Sequence, residues 1–284
     1  MAETLQKGTL YVVATPIGNL GDISTRAAWV LAGVDRVLAE DTRQTRRLLD
    51  HLELSKTLTA VHEHNEERQL DQVLAWLGRG ETLALVSDAG TPLVSDPGFA
   101  LIRAARQQGL PLVTVPGACA VTAALAVAGV PTDRFVFEGF LPPKPAGRRR
   151  ALEALAREAR TMVFYESPRR VAGTLADMVS AFGGERTATV ARELTKAHEQ
   201  SVYGTVAELV DWVAEGAIPL KGEFVLVVSG TGVEVSGLDV DSDHLLSELM
   251  TRLSVSDAAR MAARITGQGR SGLYQRALGL QGQE

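Results

Sequence analysis

The chain is poor in the residues that would place it in several protein classes. Among 284 residues it has a single cysteine, Cys119, so an intramolecular disulfide is excluded and a reducing compartment fits. The N-terminal segment MAETLQKGTLYVVATP has no apolar core of the signal-peptide kind. The longest apolar run, around residues 118–130, is interrupted by Thr122 and Gly129 and is too short to cross a bilayer. Membrane association is therefore not expected, and the expected compartment is the cytoplasm. Cationic excess is also missing. Lys and Arg number 29 against 34 Asp and Glu, a formal charge of −5, which argues against broad, non-specific binding of nucleic acid. Local basic patches remain. KPAGRRR (144–150) reads as a basic loop, and the last segment carries Arg252, Arg260, Arg264, Arg270 and Arg276. Either is a candidate contact for an anionic backbone, or an ordinary solvated surface.

Several catalytic signatures are absent too. The chain has neither a P-loop, nor G-x-G-x-x-G after its first strand, nor G-x-S-x-G. His62 and His64 stand two apart with no evident further ligands, so no metal is expected there.

What is present is an alternation of strands and helices. TLYVVA, RVLAE, TLTAV, TLALVS and PLVTVP read as strands, separated by helical patterns. Ser24 is placed to cap the first helix and Asn65 the helix after the third strand. Leu70, Val73, Leu74 and Leu77 share one face of that later helix. This order predicts a mostly parallel sheet covered on both faces. After GVPTDR the pattern changes. FVFEGF, TMVFYE and GEFVLVVSG read as strands, TATVARE and SVYGTV as a hairpin, PPKPAGRRR as a loop followed by a helix through Ala159, and the segment from Val171 to Phe182 as a helix. A mixed second sheet is expected, then a linker and a helical tail with a Leu245, Leu246, Leu249, Met250, Leu253 stripe and a second, Ala/Arg-rich helix. The expected domains are 1–130 and 131–230, both α/β, with a helical extension over 231–284.

In open parallel sheets, ligands bind beyond the carboxyl ends of the strands. In this chain those ends carry TPIGNLGD, EDTRQTRR, HEHNE, SDAGTPLVSDPG and PGACA. One Gly/Pro loop is ordinarily a turn, but five polar or Gly-rich loops at one sheet edge read as a site. Asp88 and Asp96 supply acceptors there, or else hold the loop's own shape.

The motifs TPIGNLGDIS (15–24), EDTR (40–43), SDAGTPLVSDPG (87–98), VPGACAVTAA (115–124), FYESPRR (164–170) and RELTKAHE (192–199), in this order, resemble the tetrapyrrole methylase family, in its ribosomal RNA ribose 2′-O-methyltransferase branch. Arg169 departs from that pattern, which has His there. The resemblance implies a two-domain α/β fold, S-adenosylmethionine as cofactor, a homodimer, and a substrate cytidine 2′-hydroxyl in the decoding region of 16S rRNA, within the small ribosomal subunit. It implies no metal. By motif it assigns cofactor contacts to Pro16, Asp88, Gly90, Thr91, Val94, Cys119, Ala120, Tyr165, Glu166 and Leu194, and it reads Ser95 to Gly98 as the start of the next helix.

Methyl transfer to a hydroxyl is helped by a base. The candidates are Glu40, Asp41, Glu63, Glu66, Glu166 and Glu193. Asp41 ranks first, with Arg43 to hold a phosphate; a structural ion pair between the two is the plain alternative. A tetrapyrrole methyltransferase, or a non-catalytic RNA-binding assembly factor of the same fold, stays open.

Overall fold

A computed structural model describes residues 4–62, 66–232, 242–266 and 268–281. The chain divides into two compact units, Met1–Glu153 with Thr161–Val228, and Ala154–Arg160 with Ser229–Glu284. The first contains two five-stranded sheets.

The first sheet consists of β1 (Leu10–Val13), β2 (Arg36–Ala39), β3 (Thr57–Ala60), β4 (Leu83–Val86) and β5 (Leu112–Val115), in the order β3-β2-β4-β1-β5. Every pairing is parallel. Side chains of successive strand residues point to opposite faces. Tyr11, Val13, Val37, Ala39, Ala84 and Val86 accordingly pack on one side, with Val30 and Leu31 of α1 (Thr25–Gly33) and Leu48 and Leu49 of α2 (Thr42–His51). Leu10, Leu38, Leu83 and Leu85 pack on the other, with Val73, Leu74 and Leu77 of α3 (Glu66–Gly78) and Leu101 and Ala105 of α4 (Phe99–Gln107). Burial on both faces explains why the inner strands β1, β2 and β4 read as short apolar runs. Truncating a fully buried leucine such as Leu31 or Leu38 would cost about 2–5 kcal/mol. Ser24 caps α1 as expected, its hydroxyl accepting from the Ala27 N–H at 3.0 Å. The proposed cap Asn65 lies outside the described residues, as do Glu63, His64 and most of the expected linker.

After α5 (Ala120–Val127), the second sheet runs β6-β7-β10-β8-β9. Its strands are β6 (Phe135–Phe140), β7 (Thr161–Glu166), β8 (Thr187–Arg192), β9 (Gln200–Thr205) and β10 (Phe224–Val228). β6 and β7 are parallel and the remaining pairs antiparallel, with β8 and β9 in the hairpin register Thr187↔Thr205. The sheet is mixed, as the sequence predicts. Val121, Ala124 and Leu125 of α5 form one core with Val163, Ala191, Val225 and Val227, so α5 packs on the second sheet.

Four readings of the sequence are corrected. PPKPAGRRR is a loop only through Lys144: α6 spans Pro145–Ala154, with proline at its first position, where its missing N–H costs nothing. The helix also ends short of Ala159. A further helix, α8 (Val206–Ala214), follows β9 after α7 (Val171–Phe182). It begins at a complete capping box between Thr205 and Glu208. The tail unit holds α9 (Ser242–Met250), α10 (Val255–Thr266) and α11 (Arg270–Gln281), one helix more than the sequence pattern suggests. Leu246, Ala258, Ala259, Ala262, Leu273 and Ala277 make its core.

Candidate functional site

All-parallel pairing brings the loops after β1, β2, β4 and β5 to one edge of the first sheet. They are tied together by main-chain bonds. Thr15 and Gly90 exchange both N–H to carbonyl bonds, at 2.8 and 3.0 Å. The Thr91 hydroxyl donates to the Ala118 carbonyl at 3.1 Å. Gly117 lies so close to Ala14 that an added Cβ would stand 3.0 Å from the Ala14 Cβ. The loop after β4 is bent hard, with left-handed φ at Gly90 (86°), Leu93 (73°) and Ser95 (68°). The non-glycine positions carry a conformational cost of about 1–3 kcal/mol each, sustained by the surrounding contacts. α4 starts only at Phe99 with Gly98 as its cap, so Ser95 to Gly98 do not begin the helix as expected.

This loop forms one wall of a cavity of about 330 Å³, within the range typical of small-molecule sites. Gly90, Thr91, Val94, Cys119, Ala120, Tyr165 and Glu166 line it. Pro16, Asp88 and Leu194 do not. Pro16 is buried beside Ile17, which takes the place in the wall. Leu194 is buried in the α5 core behind it. Asp88 is exposed, and its Oδ1 accepts the Asp41 N–H at 2.8 Å. Asp96, which the sequence offers as an acceptor in this loop, lines the cavity too; lining residues the sequence reading did not single out include Phe140, Phe224 and Val225, and the carboxylate Glu223. Tyr165 is held edge-on by Phe137 and Phe140, with ring centroids 4.9 and 5.6 Å apart. Burial pushes its phenol above the ordinary value.

The carboxylates separate by environment. Asp41 is the N-cap of α2, and both its oxygens take the Arg43 guanidinium, with Nη2 to Oδ2 at 2.6 Å. These bonds pull its carboxyl down to about 2, which leaves it a weak proton acceptor. Glu66 accepts the Gly98 and Leu101 N–H groups and so holds the start of α4. Glu166 is fully occupied by the Ser167 N–H, the Thr174 hydroxyl and the Arg170 guanidinium. Glu193 accepts from Lys196 Nζ and the Glu223 N–H. Glu40 and Asp96 differ. Burial raises the carboxyl of each; Asp88 adds to both, and Asp96 and Asp41 add to Glu40. Of these two, Asp96 lines the cavity.

Among the basic stretches, Arg148 is not free for a ligand. It is buried, with Nε 2.7 Å from Asp177 Oδ2. Arg150 on the same helix is exposed. In the tail, Arg252, Arg260, Arg264, Arg270 and Arg276 are all exposed.

Comparison with known proteins adds family information. A family model described as "Tetrapyrrole (Corrin/Porphyrin) Methylases" matches residues 9–210. A second, "RsmI C-terminal HTH domain", matches residues 236–281. The chain is 50% identical over 280 residues to "Ribosomal RNA small subunit methyltransferase I" of Pseudomonas aeruginosa, covering 98% of this chain and 99% of that one. It is 47% identical over 276 residues to the protein of the same name from Escherichia coli O157:H7, covering 97% and 96%. In fold it is similar to uroporphyrin-III C-methyltransferase from Thermus thermophilus complexed with S-adenyl homocysteine. The TM-score is 0.54 at 19% identity, over 78% of this chain and 97% of that one.

Proposed function

The chain belongs to the tetrapyrrole methylase family, and on that premise we propose that it is an S-adenosylmethionine-dependent methyltransferase of small-subunit ribosomal RNA, acting on the 2′-hydroxyl of a cytidine in the decoding region of 16S rRNA. The cavity walled by the loops after β1, β4 and β5 carries the reading. Its chemistry fits the donor: Ile17, Val94, Phe224 and Val225 offer apolar walls, and Asp96 and Glu223 offer carboxylates to a cationic, hydroxyl-bearing ligand. At Gly90 a Cβ would stand 3.3 Å from Ile17 Cγ2, so bare backbone faces this space.

Bound there, S-adenosylmethionine would supply an electrophilic methyl group on a sulfonium. The chain's own residues do the rest. The tied loops fix the donor's position, which matters because alignment supplies much of the rate in a displacement. Tyr165 and Phe140 cover the cavity and exclude water. Asp96 receives the proton of the attacking hydroxyl, a role its raised carboxyl suits better than that of Asp41. Asp41 acts instead through Arg43, fixing the guanidinium fork that takes a substrate phosphate. The exposed arginines of the tail unit provide further phosphate contacts. This overlaps the segment matched as a helix-turn-helix domain. We also propose a homodimer working in the cytoplasm. Val127 and Tyr203, apolar, about half exposed and both near Gly129, are of the kind a second copy would cover.

The test is transfer of tritiated methyl from S-adenosylmethionine to small subunits lacking native modification, to deproteinised 16S rRNA and to a tetrapyrrole precursor. Label in subunit RNA at an alkali-resistant ribose supports the reading. Label only in the tetrapyrrole would assign the chain the chemistry of its fold neighbours instead. No label with donor bound would favour a binding role.

A further inference from the structure

A groove of about 520 Å³ lies between α2 and β3 of the first unit, lined by Thr42, Arg43, Arg46, Lys56, Thr57 and Leu58. It brings together Arg43 and Arg46 of α2 with Lys56, just before β3, and among the described residues that line it there is no carboxylate. In a chain of net charge −5 this is a marked local departure. We propose that this groove seats the phosphodiester backbone of the substrate RNA. The proposal rests on the rRNA methyltransferase reading and gives that reading a surface.

The surrounding charges are already committed. Asp41, the carboxylate on Arg43, takes the guanidinium through both oxygens and orients it, while the Arg43 side chain stays 88% exposed. A guanidinium ordered in this way loses less freedom on meeting a phosphate. Asp35, which faces Lys56, is bound to the Thr82 N–H and hydroxyl. Lys56 Nζ donates to the Val34 carbonyl at 2.9 Å, which leaves two further protons on the ammonium. Arg46 is exposed one turn along α2 from Arg43.

The groove also has the right neighbour. β3 is the outer strand of its sheet, so the groove is open on its far side. At its inner end, the Asp41 N–H is bonded to Asp88, and the next residues, Ala89 and Gly90, line the cavity. A strand of RNA lying over Arg43, Arg46 and Lys56 thus approaches the loop that walls the donor site. Recognition here is by phosphate charge, which positions the RNA without reading its sequence.

The test is charge reversal at Arg46→Glu with Lys56→Glu in the full-length protein, leaving Arg43 and the cavity intact. Donor affinity by calorimetry and Tm should match wild type. Affinity for unmodified small subunits should fall by about tenfold or more, and the log–log salt dependence should become shallower by about 1.5. In methyl transfer, KM for the subunit should rise with kcat within about twofold. An Arg46→Gln, Lys56→Gln variant should show a smaller loss in the same direction. Subunit affinity and salt slope equal to wild type, with wild type active on RNA, would overturn the groove assignment alone. Wild type that binds the donor yet neither binds nor methylates RNA would overturn it together with the reading beneath it.

Discussion

The Asp41 N–H donates to Asp88 Oδ1 at 2.8 Å, which ties the start of α2 to the loop after β4. Asp88 thus acts as a brace at the sheet edge, and its charge is one reason the Glu40 and Asp96 carboxyls lie high. Asp88→Asn keeps an acceptor for the Asp41 N–H and removes the charge. With the like charge gone, Asp96 ionises more readily, so its carboxyl falls toward its ordinary value. The acidic limb of the kcat profile should therefore move to lower pH, with stability unchanged. Asp88→Ala loses the acceptor as well and should cost about 0.5–1.5 kcal/mol in denaturant unfolding.

Asp96 and Asp41 should separate kinetically. Asp96→Asn removes the proposed proton acceptor and should lower kcat by about 10²–10⁴-fold. The acidic limb belongs to Asp96 in its charged form, and its raised carboxyl puts that limb above the ordinary 3.8; the Asn variant should lose the limb. Asp41→Asn frees the Arg43 fork and should raise KM for the RNA with little change in kcat. Steady-state kinetics on subunits from pH 5 to 9 distinguish the two. Equal kcat losses in both variants would contradict the division of roles.

Arg148 and Arg150 stand two apart on α6 and should behave oppositely. The Arg148 side chain is 8% exposed and paired to Asp177 at 2.7 Å. Arg148→Ser leaves the largely buried Asp177 carboxylate with only the exposed Arg149, at 3.9 Å, and should lower stability by about 3 kcal/mol, seen as a clear drop in Tm. Arg150→Ser changes an exposed position and should leave Tm within a degree or so. Any effect of Arg150→Ser on subunit binding then reports RNA contact rather than folding.

The sequence made the framework legible where one local rule sufficed. Short apolar runs gave the strands, Ser24 its cap, and the turn between TATVARE and SVYGTV the hairpin. Two helices were signalled but masked. Pro145 reads as a loop residue until its tolerance at a first helical position is weighed. Thr205 and Glu208 form a capping box hidden at the end of a strand. The site was legible as a set of loops but not as a set of side chains. Whether Pro16 or Ile17 faces the cavity depends on the Thr15 to Gly90 bridge, a contact 75 residues apart. Asp96 reaches the cavity because Leu93 and Ser95 take left-handed φ, which nothing in their identity announces. Arg148 looked like part of a basic run because its partner, Asp177, lies 29 residues on.

Gly90 and Gly80 allow backbone strain to be separated from the site. Both have left-handed φ, 86° and 89°. An alanine at either should cost about 1–2 kcal/mol, since a Cβ disfavours that conformation. At Gly80 the new methyl meets nothing within 4 Å, whereas at Gly90 it stands 3.3 Å from Ile17 Cγ2 and 3.8 Å from the Ala118 carbonyl oxygen. Ile17 and Gly90 both line the cavity. Gly80→Ala should therefore lower Tm and leave donor affinity unchanged, while Gly90→Ala should lower Tm by at least as much and weaken donor binding by about tenfold. Thermal unfolding and calorimetric titration with S-adenosylmethionine measure the two effects. Equal donor affinity in both variants would place the donor away from the Ile17 and Gly90 wall.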